Sequence, residues 1–343
     1  MKLWMISFTA RGRNTAAALA QAASAAGHSV RTFALPKFCA HRDEPLTLPV
    51  ADWAEAGFQT ADGLVFCCAA GIAVRAIAPW VRDKTSDPAV IVADELGRYV
   101  IPLLSGHLGG ANALATALAA SIGAVPVITT ATDLNGVFAV DVFAARNHLF
   151  ITDMELAKAV SAALLAGEQV GFASDLPWEG LLPWGLTTGA AALGICVSRE
   201  RTKAPFDRTL RLIPRRYAAG MGCKRGKTGE ALEGFLLEQL ERCKVAVEEL
   251  RCIATIDRKG DEPGLWALCS AYRLPLQTYS AAELSALPGD FHGSAFVRTQ
   301  TGVDSVCERS AVLAAGGPLV AEKTAAQGMT FALARYEEGI HFG

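Results

Sequence analysis

Three short segments of this chain hold residue types that could act together on an acyl or anionic substrate. The first is Leu104-Ser105-Gly106-His107-Leu108-Gly109-Gly110-Ala111-Asn112, a histidine among three glycines ahead of an apolar stretch of helical spacing. Glycine lacks Cβ, so such a loop can turn tightly and approach a ligand closely. The following helix would aim N–H groups and its positive dipole end at a carboxylate, a phosphate or a developing oxyanion. His107 would exchange protons near neutral pH. A compact turn with a surface histidine has the same sequence, so this loop alone leaves both readings open.

The second segment is Gly220-Met221-Gly222-Cys223-Lys224-Arg225-Gly226-Lys227-Thr228, read as a glycine-bearing loop that opens a helix. Its last three residues imitate the end of a phosphate loop. That pattern requires glycine five positions before Gly226, where Met221 stands. A P-loop-like nucleotide hydrolase is therefore kept only as an alternative. Cys223 beside Lys224 and Arg225 at a helix start is expected to have a lowered thiol pKa, although no histidine partner is apparent.

The third is Thr299-Gln300-Thr301-Gly302-Val303-Asp304-Ser305-Val306-Cys307-Glu308, ahead of a helical Ala311–Ala315. Ser305, Glu308 and the downstream Lys323 could meet if this loop caps a sheet. Alternatively, Ser305 caps the next helix with Glu308 at the third helical position, the spacing of a capping box.

Between Arg199 and Lys227 ten basic residues face only Glu200 and Asp207. For Arg199–Lys203 a solvated linker is the simpler account. Lys224 and Arg225, inside a glycine loop, are the better candidates for binding an anion. RNA binding would call for aromatic stacking platforms, which do not accompany these charges.

The elements that must position these segments alternate between strand and helix. Leu3–Phe8, 29–35 and 63–67 read as strands, an Ala-rich helix falls near 12–26, and Asp94-Glu95-Leu96-Gly97 reads as a hairpin turn. Helix 110–121 and strand Val125–Ile128 follow. A helix over Asp153–Ala166 has Thr152 as its expected N-cap. Strands are expected at Gln169–Ala173, Leu193–Val197, Arg251–Ile256 and Pro275–Tyr279. Helices fall at 228–242 and 261–272, and Leu319–Lys323 should pair with Met329–Ala334. This order implies an α/β fold with mainly parallel sheets: an N-terminal α/β domain over 1–134, a smaller middle α/β region over 135–215 and a C-terminal α/β domain over 216–343.

Bulk properties agree with a globular protein. Hydrophobic residues make up 51% and charged residues 19%, enough apolar material for sizeable cores. A net charge of −2 offers no field for nucleic acid or an anionic membrane. No secretory signal and no apolar run of ~18 residues is found, so a cytoplasmic location is expected. Nine scattered cysteines without a C-x-x-C pair point to reduced core thiols rather than a zinc site, and no protein metal site is expected.

In their order and spacing the motifs resemble the cobalt-precorrin-5A hydrolase (CbiG) family of anaerobic cobalamin (vitamin B12) biosynthesis. They are the stretch Gly71–Pro79, the loop Ser105–Asn112, the segment Gly220–Gly226, the segment Gly302–Glu308 and Ala314–Gly316. Lys224 stands where that family more often has arginine, and Cys307 where it often has serine. The resemblance implies a tetrapyrrole substrate bearing a δ-lactone and a bound cobalt. The lactone is opened by water and acetaldehyde departs, giving cobalt-precorrin-5B. It implies no cofactor, since the cobalt is carried by the substrate.

That chemistry asks for a base on water, for which His107 and Glu308 are candidates, with Lys323 as a further catalytic candidate. It asks for N–H donors at an oxyanion and for cations at the substrate's acetate and propionate arms. Candidates for binding are Gly71, Arg75, Ser105, Gly106, Gly109, Gly110 and Asn112. In the later segments they are Gly220, Gly222, Cys223, Lys224, Arg225, Gly226, Gly302 and Ser305. An apolar cleft between the N- and C-terminal domains would suit the macrocycle. Expected partners are the cobalt-tetrapyrrole substrate, neighbouring enzymes of the pathway and a second copy in a homodimer, but neither nucleic acid nor membrane. A non-catalytic carrier of the tetrapyrrole intermediate remains the alternative, because binding loops and catalytic loops look alike.

Overall fold

The structure is a computed structural model. It describes the chain except residues 84, 85, 108, 294 and 343 and the side chains of 132, 133, 295, 296 and 300. Leu108 of the first loop and the side chain of Gln300 thus lie outside the described residues. The chain forms two compact units, Met1–Val142 and Phe143–Gly343.

In the first unit, β1 (Lys2–Ser7), β2 (Ser29–Ala34), β3 (Asp43–Pro45), β4 (Gly63–Cys67), β5 (Ala89–Ala93), β6 (Tyr99–Leu104) and β7 (Val125–Pro126) form one sheet, ordered β3-β2-β1-β4-β5-β6-β7. All neighbours are parallel except the β5–β6 hairpin. Buried on both faces, β4 and β5 are uninterrupted apolar runs, as central parallel strands are. Helices α1 (Ala10–Ala25) and α4 (Ala111–Ile122) cover one face; α2 (Val50–Thr60) and α3 (Ala70–Ile77) cover the other, over a cluster of Trp4, Phe33, Trp53 and Phe66. Helices α5 (Ala131–Leu134) and α6 (Val140–Arg146) follow.

The second unit holds two five-stranded sheets. The first contains β8 (Leu149–Ile151), β9 (Val170–Ser174), β11 (Leu186–Thr187), β12 (Leu193–Val197) and β13 (Arg208–Pro214), ordered β11-β9-β12-β13-β8, with α7 (Met154–Leu165) packed on it. The N-cap of α7 is Asp153, not Thr152. Asp153 Oδ1 accepts from the Glu155 and Leu156 N–H groups, whereas Thr152 Oγ1 donates to the Arg211 carbonyl. A short strand, β10 (Trp178–Glu179), leaves this region and pairs far along the chain with β19 (Ile340–His341).

The second sheet contains β14 (Tyr217–Cys223), β15 (Leu250–Ile256), β16 (Leu276–Tyr279), β17 (Leu319–Ala326) and β18 (Met329–Arg335), ordered β16-β15-β14-β18-β17. Helices α8 (Gly229–Arg242) and α9 (Pro263–Tyr272) pack on one face. Helices α10 (Ala281–Ala286) and α12 (Val306–Ala315) pack on the other, with α11 (Ala295–Thr301) between them in sequence.

The expected loop over 217–226 is, up to Cys223, the central strand β14. Gly220 is there for close packing rather than for a turn. A Cβ on it would sit 1.8 Å from the Cys307 carbonyl oxygen, so its absence lets α12 lie directly on the strand. Among the described residues no helix is long and apolar enough to cross a membrane.

Candidate functional site

In the first unit, β6 runs into the His107 loop and α4 leaves it. Ser105 adopts a left-handed φ of 55° and donates Oγ to the Asp87 carbonyl at 2.8 Å. The loop then closes on itself. The Ala111 and Asn112 N–H groups donate to the Ser105 and Gly106 carbonyls at 3.1 and 3.0 Å, so these two first-turn donors of α4 are not free for an anion. Gly110 caps the helix at φ 77°, a conformation that costs glycine nothing. Asn112 Nδ2 donates to Thr130 Oγ1 at 2.8 Å, and Gly109 abuts Ser105 within the same turn.

His107 Nδ1 lies 3.3 Å from Asp141 Oδ2, with the two side chains 15% and 17% exposed. Burial pushes the Asp141 carboxyl up, but the hydrogen bond and charge of His107 more than offset this and hold it below the usual carboxylate range. Arg75, on α3, is exposed and turns back to donate to the Gly71 carbonyl at 3.1 Å.

In the second unit the carboxyl ends of β14 and β15, the start of α12 and the β17–β18 hairpin surround a cavity of about 700 Å³. Gly222, Cys223, Lys224, Arg225 and Lys323 line it, as do Arg258 and Lys259. Its apolar wall comes from Ile256, Val297, Val306 and Met329. Among the described residues its lining therefore holds five cationic residues and no acidic one, with Lys259 paired to Glu262 and Arg225 to Asp261 at 3.8 Å behind it. Thr255 also lines it, and its buried Oγ1 has no hydrogen-bond partner among the described residues. A buried hydroxyl left unpaired is costly, and a polar ligand in the cavity would relieve that cost.

Gly226 lies outside this lining. Its N–H donates to Glu262 Oε1 at 2.7 Å, and Glu262 is itself held by Lys259 at 2.8 Å. The Gly226 N–H is thus taken by a protein carboxylate and is not free to cradle a phosphate, which disfavours the nucleotide-hydrolase alternative. Helix α8 starts only after this turn, with Thr228 as its cap. Cys223 is at a strand end, not a helix start, and burial outweighs the nearby lysines to push its thiol up rather than down. Much of the basic run ahead of it is consumed in pairs: Arg199 with Glu338, Arg201 with Glu248, Lys203 with Asp175 and Arg216 with Glu249.

Behind the cavity, Ser305 is the N-cap of α12 but forms no capping box. Its Oγ instead donates to Glu308 Oε2 at 2.8 Å. Glu308 is fully buried and also accepts from the His292 N–H at 2.6 Å and the Lys323 N–H at 2.9 Å. Its remaining contact is His292 Nδ1, 3.0 Å from Oε1. Burial pushes the Glu308 carboxyl up, but the donors, led by the Lys323 N–H, more than offset it and hold the group below its usual range. Lys323, whose side chain lines the cavity, donates Nζ to the His292 carbonyl at 3.2 Å. Gly302, at φ 81°, ends α11 ahead of this cluster.

Two residues in this arrangement carry no sequence signal that marks them. His292 is a lone histidine in a Pro- and Gly-containing stretch, and Thr255 is a β-branched residue in a buried strand. The ring of His292 is 63% exposed; with Nδ1 turned to Glu308, its Nε2 faces outward, 3.8 Å from the exposed Glu322 carboxylate. Among the described residues no group of three or more His, Cys, Asp or Glu side chains gathers as metal ligands.

Residues 52–133 match the family model "Cobalamin synthesis G N-terminal", 138–214 match "Cobalamin biosynthesis central region" and 217–334 match "Cobalamin synthesis G C-terminus". The chain is 40% identical over 297 residues to a cobalt-precorrin-5A hydrolase of Salmonella typhimurium, covering 82% of this chain and 84% of that protein. It is 32% identical over 306 residues to a cobalt-precorrin-5A hydrolase of Priestia megaterium, covering 82% and 80%. Among solved structures, CobE, a protein from the cobalamin (vitamin B12) biosynthetic pathway, aligns with 35% of this chain and 92% of its own at 33% identity and a TM-score of 0.33.

Proposed function

The chain belongs to the cobalt-precorrin-5A hydrolase family, and from that premise we propose that the cavity beside Thr255 receives the cobalt-bearing macrocycle of its substrate. The protein is an enzyme of cobalamin biosynthesis. The observation that carries the placement is the cavity itself: five cations, no acid, an apolar wall and an unpartnered buried hydroxyl. A macrocycle with carboxylate arms needs this combination, charge-assisted bonds at its rim and apolar contact over its face.

The neighbouring dyad supplies the base. Glu308, saturated with donors and out of solvent, holds His292 in the tautomer with its proton on Nδ1, leaving Nε2 as the ring's outward acceptor, 3.8 Å from the exposed Glu322 carboxylate. His292 Nε2 takes a proton from water as the water oxygen bonds to the lactone carbonyl carbon. Lys323 stabilises the resulting oxyanion. On collapse the acyl C–O bond breaks, and the departing alkoxide takes the proton back from His292. His292, neutral again, then takes the new hydroxyl's proton as the adjacent C–C bond breaks. Its electron pair passes to the macrocycle, and the two-carbon fragment leaves as acetaldehyde. Cobalt enters and leaves with the substrate. The His107–Asp141 pair presents the same Nδ1-to-carboxylate geometry in the other unit and is the competing assignment for the base.

The test is anaerobic incubation of the purified protein with cobalt-precorrin-5A while a hydrazine traps acetaldehyde. Release that is lost in His292→Ala and retained in His107→Ala supports the assignment. The reverse pattern moves the base to His107. Macrocycle binding with no acetaldehyde from the unaltered protein would leave a carrier.

A further inference from the structure

At the other end of the C-terminal sheet, where β14 and β15 begin and β18 ends, a second cavity of about 450 Å³ opens. Arg215, Arg251 and His148 all line it, and Arg251 Nη2 is hydrogen-bonded to His148 Nε2. Each of these guanidiniums lies over an aromatic ring. Arg215 is 5.5 Å from the ring centre of Phe150, and Arg251 is 4.4 Å from that of Tyr336. Among the described residues neither has a carboxylate within ion-pairing distance, and Glu248, the one carboxylate acting on Arg215 from further off, is paired with Arg201. The contrast with the adjacent Arg216 is direct, because Glu249 closes that guanidinium at 2.7 Å.

Stacking on a ring fixes the plane of a guanidinium and leaves its N–H edge available for a bidentate oxyanion. Burial, and then the charges of Arg251 and Arg215, press His148 down to about 4. The imidazole is therefore neutral at pH 7. It accepts from Arg251 at Nε2 and carries its proton on Nδ1, adding a third donor. The acids on the cavity wall are otherwise engaged or outward: Glu338 with Arg199 and Arg216, Glu179 with His341, and Glu337 exposed.

We propose that Arg215, Arg251 and His148 form an oxyanion site for a ligand other than the macrocycle, one that presents a carboxylate or a phosphate. The two cavities open at opposite ends of one sheet, so this site does not depend on the reaction assigned above.

The probes are inorganic phosphate and tricarballylate, titrated into the protein carrying isotope-labelled histidine, with six imidazoles to follow. His148→Asn assigns the His148 signal. A saturable shift of that signal below on the order of 10 mM probe is expected. With it the His148 pKa should rise by about one unit, which by reciprocity is tenfold tighter binding to the protonated protein. A response to tricarballylate alone identifies a carboxylate ligand, a response to phosphate alone a phosphate ligand, and both support the site. Arg215→Gln, which leaves His148 and its bond to Arg251 in place, should abolish the shift. The same shift persisting in Arg215→Gln, or no saturable shift with either probe in the unaltered protein, overturns the proposal.

Discussion

Glu308 Oε1 lies 3.0 Å from His292 Nδ1, and the same carboxylate takes the backbone N–H groups of both His292 and Lys323. One buried anion thus fixes the ring, the segment that carries the ring and the strand that carries a cavity lysine. The kinetic consequences of its loss should differ from those of losing the ring.

Replacing His292 by Ala should lower kcat for acetaldehyde release by roughly 10²–10⁴-fold and remove the acid limb of the kcat/KM profile. Glu308→Gln should keep that limb, displaced along the pH axis because the imidazole has lost its anion, with a smaller fall in kcat. A pH-rate series on both variants checks this. Identical profiles would reduce Glu308 to a folding role.

Glu308→Gln should also cost stability. Each carboxylate oxygen accepts from two of the four donors, so the amide would leave two of them facing an NH₂ group. The expected loss is about 2–4 kcal/mol in urea unfolding at pH 7. The folded carboxyl titrates below its ordinary value, so its contribution is complete above the unfolded pKa near 4.5 and is lost as pH falls through the folded value. The difference between parent and variant should shrink in acid.

Thr255→Val should leave stability unchanged or raise it by up to about 1 kcal/mol, because the hydroxyl it removes has no partner. Affinity for the substrate should fall by about five- to tenfold. Urea melts paired with anaerobic binding titrations would show the two effects moving apart. Equal binding by the variant would remove Thr255 from the contact surface.

Lys224→Ala and Arg225→Ala should each raise KM by about fivefold at low salt with kcat nearly constant, as rim cations that hold flexible carboxylate arms do. Added salt should erase most of the difference.

His148 gives a pH signature of its own. Its folded pKa is depressed to about 4, below the ordinary value of 6.5. Its stability contribution is therefore complete above pH 6.5 and lost as pH falls towards 4. His148→Asn should flatten the stability curve across that window by roughly 1–2 kcal/mol, less than the full shift implies because solvent screens a half-exposed ring.

What could be read from the residues was governed by how local the cause is. The β5–β6 hairpin follows from Asp94 and Gly97, and the β17–β18 hairpin from Gln327-Gly328, signals that lie within the turns themselves. The strand at 217–223 was hidden because the reason for Gly220 is the Cys307 carbonyl, far away in sequence. The motifs around Lys224, Arg225 and Lys323 do meet at one cavity, and Ser305 and Glu308 do meet each other. What no spacing could announce is that Glu308 is a buried anchor for His292, or that the Thr255 hydroxyl ends without a partner. Both depend on which side chains the sheet brings together.

Strand β19 returns to β10, and Asn147 exchanges hydrogen bonds with His341, 194 residues further along the chain. The rings of Phe143 and Phe172 are covered by Phe342 from the same returning segment. At a synthesis rate of ~5–20 residues per second, a ribosome needs roughly 10–40 s to supply that cover after Asn147 has been made. During that interval the nascent middle region presents bare aromatic surface, so the protein's dependence on chaperones should be set by translation speed.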